Sequence, residues 1–346
     1  MKASINLLCV WLIAMSAIIA NATTFMELAQ ARGSATVKTT GSAGDSRMQV
    51  KTATEEWTDS ERGRTVPVKL YYRPGAAAPM PVVIFSHGLG GSREAACYLG
   101  ESWAKDGFFC VFVQHPGSDQ SLWKGMKDMG QIRQALSGGI NFQSIKDRVD
   151  DIHFVLNRLD SLNAKGSPYA GLADPGRVGI AGHSFGAWTS LAIAGQSFGG
   201  PLMGTKNFSD PRIKAAIYLS PPPYRGRRSP QEAFGSIKIP GMLITGSLDT
   251  DPITGGEPEK RAEIFNYLQG PGQYLLYFDQ AAHQTFGGRK RQGAMSELDE
   301  RIEGQVAAVT SRFWEAYLRG DDSSRNWLAQ GSLSRSLGAT AQVSLK

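Results

Sequence analysis

Ser184 stands in Gly182-His183-Ser184-Phe185-Gly186, a G-x-S-x-G pattern. A serine hydroxyl is a weak nucleophile near neutral pH unless the backbone presents it and a base takes its proton. Glycines two residues to either side permit the tight turn that presents it. The lead-in Arg177-Val178-Gly179-Ile180-Ala181 suits a buried strand, and the small residues of 187–194 suit a helix. A strand before and a helix after make a common pentapeptide a specific signal for a catalytic nucleophile.

A base and an orienting acid must then follow in the order Ser, Asp or Glu, His. Of the five histidines, His183 adjoins the nucleophile and faces elsewhere by strand geometry, His87 precedes a glycine-rich loop, His115 closes a strand and His153 lies in a helix. His283 alone follows the last expected strand, in a loop from which it can reach Ser184, and is the expected base. The acid belongs just past a strand between the two. Ile244-Thr245-Gly246-Ser247-Leu248-Asp249-Thr250-Asp251-Pro252 supplies it. Asp249 is the choice and Asp251, before proline, the alternative. The strand ending at Leu219-Ser220 offers no acid, since Pro221-Pro222-Pro223 follows.

Acyl transfer also needs two N–H donors for the oxyanion. The amide of Phe185, next to the nucleophile, is one. The other belongs to Ser86-His87-Gly88-Leu89-Gly90-Gly91-Ser92, where Leu89 is the expected donor. The same glycines could cradle a phosphate, but the lysine and spacing of a P-loop are missing.

The elements that must hold these residues follow from the hydrophobic pattern. A hairpin of strands 48–57 and 65–72 opens the fold, and 81–86 reads as a strand buried on both faces. Helix 93–105, strand 108–113, helix 146–162, the strand–elbow–helix unit, strands 213–219, 241–245 and 273–278, helix 260–268 and helix 298–317 follow. Residues 115–143 are long for a connection and read as a lid or binding loop. The alternation implies one α/β domain: a mostly parallel central sheet with helices on both faces, over 47–320. Residues 321–346 read as a polar C-terminal tail.

Of the 346 residues, 41% are hydrophobic and 20% charged, which suits a globular enzyme rather than a disordered chain. Lys2, the apolar run 7–20 and Ala20-Asn21-Ala22 form a secretory signal, with cleavage expected after Ala22 and Ala31 as the alternative site. Residues 23–46 then form a loose leader, and the mature chain is expected to be exported, with no membrane span. The net charge of +6 is scattered apart from Arg225-Gly226-Arg227-Arg228 and Arg289-Lys290-Arg291, so no nucleic-acid partner is expected. Cys97 and Cys110 could pair in an exported protein or remain two buried thiols. No metal or organic cofactor is implied.

Phe85-Ser86-His87-Gly88-Leu89-Gly90, Gly182-His183-Ser184-Phe185-Gly186 and His283-Gln284-Thr285-Phe286 resemble the corresponding segments of platelet-activating-factor acetylhydrolases and related dienelactone-hydrolase-like serine esterases. In organisation the resemblance covers about residues 50–318. It implies the α/β-hydrolase fold and hydrolysis of carboxylic esters. The acetylhydrolases take their acid after the strand that here ends in Ser220-Pro221. This chain puts Asp249 one strand later, as dienelactone hydrolases, cutinases and polyester hydrolases do, so the resemblance implies ester hydrolysis without fixing phospholipid specificity. Ser184 replaces the cysteine nucleophile of dienelactone hydrolases proper. Leu89, Phe185, Trp188 and Phe286 favour an apolar acyl or alcohol group. A peptidase or acyltransferase using the same residues, and a silent binding protein on the fold, are the alternatives.

Overall fold

The computed structural model describes residues 49–76, 79–200, 204–250 and 256–346. The expected signal sequence, its two cleavage sites, the whole leader and Asp251 lie outside them. The chain runs β1 (Lys51–Asp59), β2 (Arg64–Tyr72), β3 (Met80–Ser86), α1 (Cys97–Lys105), β4 (Phe109–Val113), α2 (Met129–Gly138), α3 (Phe142–Leu162), β5 (Ala173–His183) and α4 (Phe185–Ala194). It continues with β6 (Ser197–Gly200), β7 (Gly204–Asn207), β8 (Ile213–Leu219), α5 (Pro230–Phe234), β9 (Gly241–Leu248), α6 (Pro258–Ala262), β10 (Gln273–Ala282), α7 (Ala294–Trp314), α8 (Asp322–Ala329), α9 (Ser332–Leu337) and β11 (Ala341–Leu345).

Nine strands form one sheet in the order β1-β2-β4-β3-β5-β8-β9-β10-β11. Its centre, from β4 through β10, is parallel. The edges are antiparallel: β1 on β2, β2 on β4, and β11 on β10. This is the α/β-hydrolase fold, with helices around a mostly parallel sheet.

Side-chain alternation builds the two sides. Val82 and Ile84 of β3, Val111 and Val113 of β4, and Ile180 of β5 share one core with Val149, Ile152 and Val155 of α3 and Leu191 of α4. Val83 and Phe85, Cys110 and Phe112, and Ala181 point to the other face, against Leu99 and Trp103 of α1 and Val306, Phe313 and Trp314 of α7. Strands apolar at every position can only be buried on both faces. The Trp103 indole donates to Thr310 Oγ1 at 2.9 Å, which satisfies its one polar atom in the core between α1 and α7. Cys97 and Cys110 are both free thiols. Among the described residues, no helix is long and apolar enough to cross a membrane.

Four expectations on the course of the chain need correcting. The first helix starts at Cys97 rather than at 93, after a left-handed Ala96 (φ 52°) that breaks helical geometry. The segment 115–143 is not a plain excursion, since it contains α2, capped by the Asp128 carboxylate on the Gln131 amide. Helix 260–268 is split into α6 and a 3₁₀ turn over Glu263–Tyr267. The C-terminal residues are no loose tail. Leu328, Leu333 and Leu337 are buried, and β11 covers the edge of β10 with a register from Tyr274 opposite Leu345 to Phe278 opposite Ala341. Without it the parallel sheet would end in a row of unpaired backbone groups.

Candidate active site

The elbow forms because β5 runs straight into α4. Ser184 sits between them at φ 56°, ψ −116°, a conformation that non-glycine residues avoid. Its amide donates to Leu219 O at 2.9 Å, which ties the turn to β8. The flanking glycines are dictated by space. A Cβ on Gly182 would lie 2.2 Å from Gly186 O, and one on Gly186 would lie 1.8 Å from Ser86 O. The pattern is thus a record of how closely β3, β5 and α4 approach.

Ser184, His283 and Asp249 come together at the C-terminal ends of β5, β10 and β9. His283 Nδ1 donates to Asp249 Oδ1 at 2.7 Å, because a carboxylate can only accept. Nε2 therefore carries the lone pair, and Ser184 Oγ donates to it at 2.9 Å. Ser184 is half-buried and His283 9% exposed, so the pair is open on one side only. Asp249 is fully buried. It also accepts from Thr245 Oγ1 at 2.7 Å and lies 3.2 Å from Arg261 Nε. Burial alone would raise its pKa, but His283 and the Arg261 guanidinium outweigh burial and hold the carboxyl at about 2. Arg261 is itself anchored on Asp249 O (2.8 Å), Ser220 O (3.1 Å) and Pro221 O (2.8 Å).

The histidine loop is braced twice. His183 Nε2 donates to His283 O at 2.8 Å, and burial, then the charge of His283, pushes the His183 pKa down to about 3, so that ring stays neutral. On the other side, Thr285 Oγ1 donates to Asp299 Oδ1 at 2.7 Å and accepts from the Ala282 amide at 3.3 Å. His183 hydrogen-bonds the backbone of His283 rather than Ser184 Oγ. Its part in holding the base is new, and no spacing in the sequence signals it.

Leu89 and Phe185 occupy the positions expected of oxyanion donors. Phe185 begins α4, so its N–H has no intrahelical partner. In the loop after β3, Gly90 N–H is taken by Ser118 O (2.9 Å) and Gly91 N–H by Gly88 O (3.0 Å). Among the described residues the Leu89 amide has no hydrogen-bond acceptor, so it stays available to a ligand. His87 orients that peptide. Its Nε2 accepts the His115 amide at 3.1 Å, which leaves the proton on Nδ1 to bind Gly88 O at 2.6 Å. In a trans peptide the C=O and N–H point oppositely, so fixing Gly88 O aims Leu89 N–H.

The segment between β4 and α3 closes over this loop. Trp123 Nε1 donates to Gly90 O at 2.8 Å. The Leu136 side chain packs on Gly90, and Leu122 and Leu89 both lie beside Gly139. Trp188 is half-buried between Phe185 and Phe198. Phe286 is fully buried against Phe278 and belongs to the core, not to the site.

Beneath the loop after β3 lies a second buried set of polar groups that no spacing in the sequence signals. Ser86 Oγ lies 3.0 Å from His115 Nε2, and His115 Nδ1 lies 3.0 Å from Asp151 Oδ2. Asp151 also accepts from Arg62 (2.9 Å) and Arg64 (2.9 Å). Arg148 of α3 completes the set.

Residues 64–221 match the family model described as platelet-activating factor acetylhydrolase, isoform II. The matched segment carries the glycine-rich loop after β3 and the elbow and stops before Asp249 and His283. No curated protein matches the chain. By its fold and by this matched segment, the chain is an α/β-hydrolase of the lipase/esterase type, similar to the platelet-activating-factor acetylhydrolases.

Proposed function

We propose that the protein is an exported serine hydrolase that cleaves carboxylic esters through an acyl-enzyme on Ser184. The observation that carries this is the line Ser184 Oγ–His283 Nε2–Asp249 Oδ1, at 2.9 and 2.7 Å, beside two amides that have no acceptor among the described residues. His283 takes the Ser184 proton as Oγ attacks the ester carbonyl, and Asp249 holds the imidazole and balances its charge. The amides of Leu89 and Phe185 receive the oxyanion. His283 then gives the proton to the leaving alcohol, and a water molecule activated by the same histidine releases the acid.

The apolar surface of Leu89, Leu122, Trp123 and Leu136 favours short-acyl, lipid-like or polyester substrates over charged ones. Export is proposed from the N-terminal sequence alone. The test is a rate assay on p-nitrophenyl acyl esters of graded chain length, run beside labelling with a fluorophosphonate probe. Wild-type hydrolysis and labelling that both vanish in Ser184→Ala support the reading. A wild-type rate equal to that of Ser184→Ala across the series overturns it.

A further inference from the structure

Arg148 is completely buried, yet nothing in the proposed chemistry uses it. It sits on α3, and all of its observed acceptors are neutral. Nε donates to Thr189 Oγ1 at 3.0 Å, Nη1 to Ser118 Oγ at 2.8 Å, and Nη2 to Ser86 Oγ at 3.0 Å and to His87 O. The guanidinium carbon lies 4.5 Å from the centre of the Phe185 ring. No carboxylate forms an ion pair with it among the described residues, although buried charges are normally paired.

Three of these four partners fall on the two elements that carry the expected oxyanion donors, and the fourth, Ser118, holds one of them. Ser86 and His87 lead into the loop that bears the Leu89 amide. Ser118, through its carbonyl, also takes Gly90 N–H. Thr189 lies in the first turns of α4 and donates its own hydroxyl to Phe185 O at 3.0 Å. The planar fork of an arginine can hold several acceptors in one fixed arrangement, which a lysine cannot. The guanidinium thus bridges the loop and the helix on the side away from the substrate. Asp151 and Asp119 act on the charge through space but neither touches it, and at low polarity the remaining field is strong.

We propose that Arg148 is the positioning residue of the oxyanion hole: it fixes the gap between the Leu89 and Phe185 amides and adds positive potential where the oxyanion forms. This rests on the serine-hydrolase reading of Ser184. Arg148 touches no substrate. Its effect is on the transition state, since the donors are placed for the tetrahedral oxyanion rather than for the planar carbonyl.

The experiment compares wild type with Arg148→Met, Arg148→Lys and Thr189→Val on one p-nitrophenyl ester, recording kcat and KM separately. Inhibition by a trifluoromethyl ketone, whose adduct with serine carries an oxyanion, is measured in parallel. Circular dichroism and melting temperature report folding. Misplacement of donors by about 1 Å lowers kcat about 100-fold, so Arg148→Met is expected to lose that much kcat with KM within a few-fold. Ketone affinity should fall in step with kcat/KM, and Arg148→Lys, which keeps the charge without the fork, should fall between. Where Arg148→Met does not fold, Thr189→Val removes one arm of the fork and carries the same comparison. A folded variant with unchanged kcat and ketone affinity overturns the proposal, as does a loss confined to KM. Failure of the serine-hydrolase reading is separable: it shows as wild type that neither hydrolyses ester nor takes the fluorophosphonate probe.

Discussion

Two Ser–His–Asp lines stand side by side at the ends of adjacent strands β3 and β5. Ser184–His283–Asp249 spans 2.9 and 2.7 Å, and Ser86–His115–Asp151 spans 3.0 and 3.0 Å. Their proton arrangements are the same, with Nδ1–H on the carboxylate and the serine hydroxyl on Nε2. What separates them is everything around the serine. Ser184 is half-open, on a turn held at φ 56°, beside free amides. Ser86 is fully buried, and its oxygen already accepts from Arg148. His115 is held neutral, burial and Arg148 lowering its pKa to about 4 despite Asp151. A relay of hydrogen bonds is therefore not a nucleophile by itself. On the proposed function, access, a strained turn and oxyanion donors make one of them reactive, while the other is a brace.

The sharpest way to break this comparison is to remove each serine in turn. Ser184→Ala is expected to lower kcat about 10,000-fold or more and to abolish fluorophosphonate labelling. Ser86→Ala should retain labelling at Ser184, lose about 1–3 kcal/mol of stability because His115 and Arg148 each lose a buried partner, and lower kcat no more than Thr189→Val, which also removes one partner of Arg148. Labelling that survives in Ser184→Ala and disappears in Ser86→Ala would reverse the assignment.

The two carboxylates make the same division. Asp249→Asn can turn an amide N–H toward His283 Nδ1, which moves the imidazole proton to Nε2, and should cost about 10,000-fold in kcat, the loss expected when the imidazole takes the wrong tautomer. Asp151→Asn should act on stability, measured by urea unfolding, by about 2 kcal/mol. That lies below the figure for a fully buried pair because Arg62 and Arg64 keep some contact with water. Equal kinetic losses from both changes would mean that the brace is part of the reaction.

The braces also give stability a pH dependence. Burial depresses His115 to about 4, His183 to about 3 and His87 well below its ordinary value. Between about pH 4.5 and 6.5 the unfolded chain therefore binds protons at these three sites that the folded chain refuses. Burial raises Glu303 to about 7, so that one site works the other way. Stability should fall as pH falls through this window, and calorimetry of His115→Asn should show a slope shallower by one proton, about 1.4 kcal/mol per pH unit. An unchanged slope would mean that His115 is protonated in the fold.

The difference between the two lines also explains what could be read in advance. The elbow was legible because steric demand writes itself locally: Gly182 and Gly186 face backbone atoms within 2.2 Å. Asp249 and His283 followed from strand order, which fixes where loops can converge. The brace left no such trace. Arg148 is charged and lies in an amphipathic helix, where exposure is the default for its type. Its partners Ser86, Ser118 and Thr189 are common residues 62, 30 and 41 positions away. The C-terminal strand was missed because α8 and α9 are too short to show a helical period, and their few buried leucines stand among serines and arginines.

Only the open line has walls that can select a substrate, and this separates it from the brace by the smallest effect. Trp123 Nε1 holds Gly90 O, and Leu136 packs on the same glycine. Trp123→Phe keeps most of the apolar surface and removes one hydrogen bond, a change worth about 1 kcal/mol. That corresponds to about 5-fold in kcat/KM, and it should be uniform across acyl chain lengths, because it loosens the loop that carries the Leu89 amide. Leu136→Ala widens the wall instead, and should shift the chain-length optimum of the p-nitrophenyl ester series upward. Neither change reaches Ser86, so the pH slope that reports His115 should stay where it was. A Trp123 or Leu136 variant that alters that slope would show the two lines to be coupled through the loop between them, and the brace to be under the influence of whatever occupies the site.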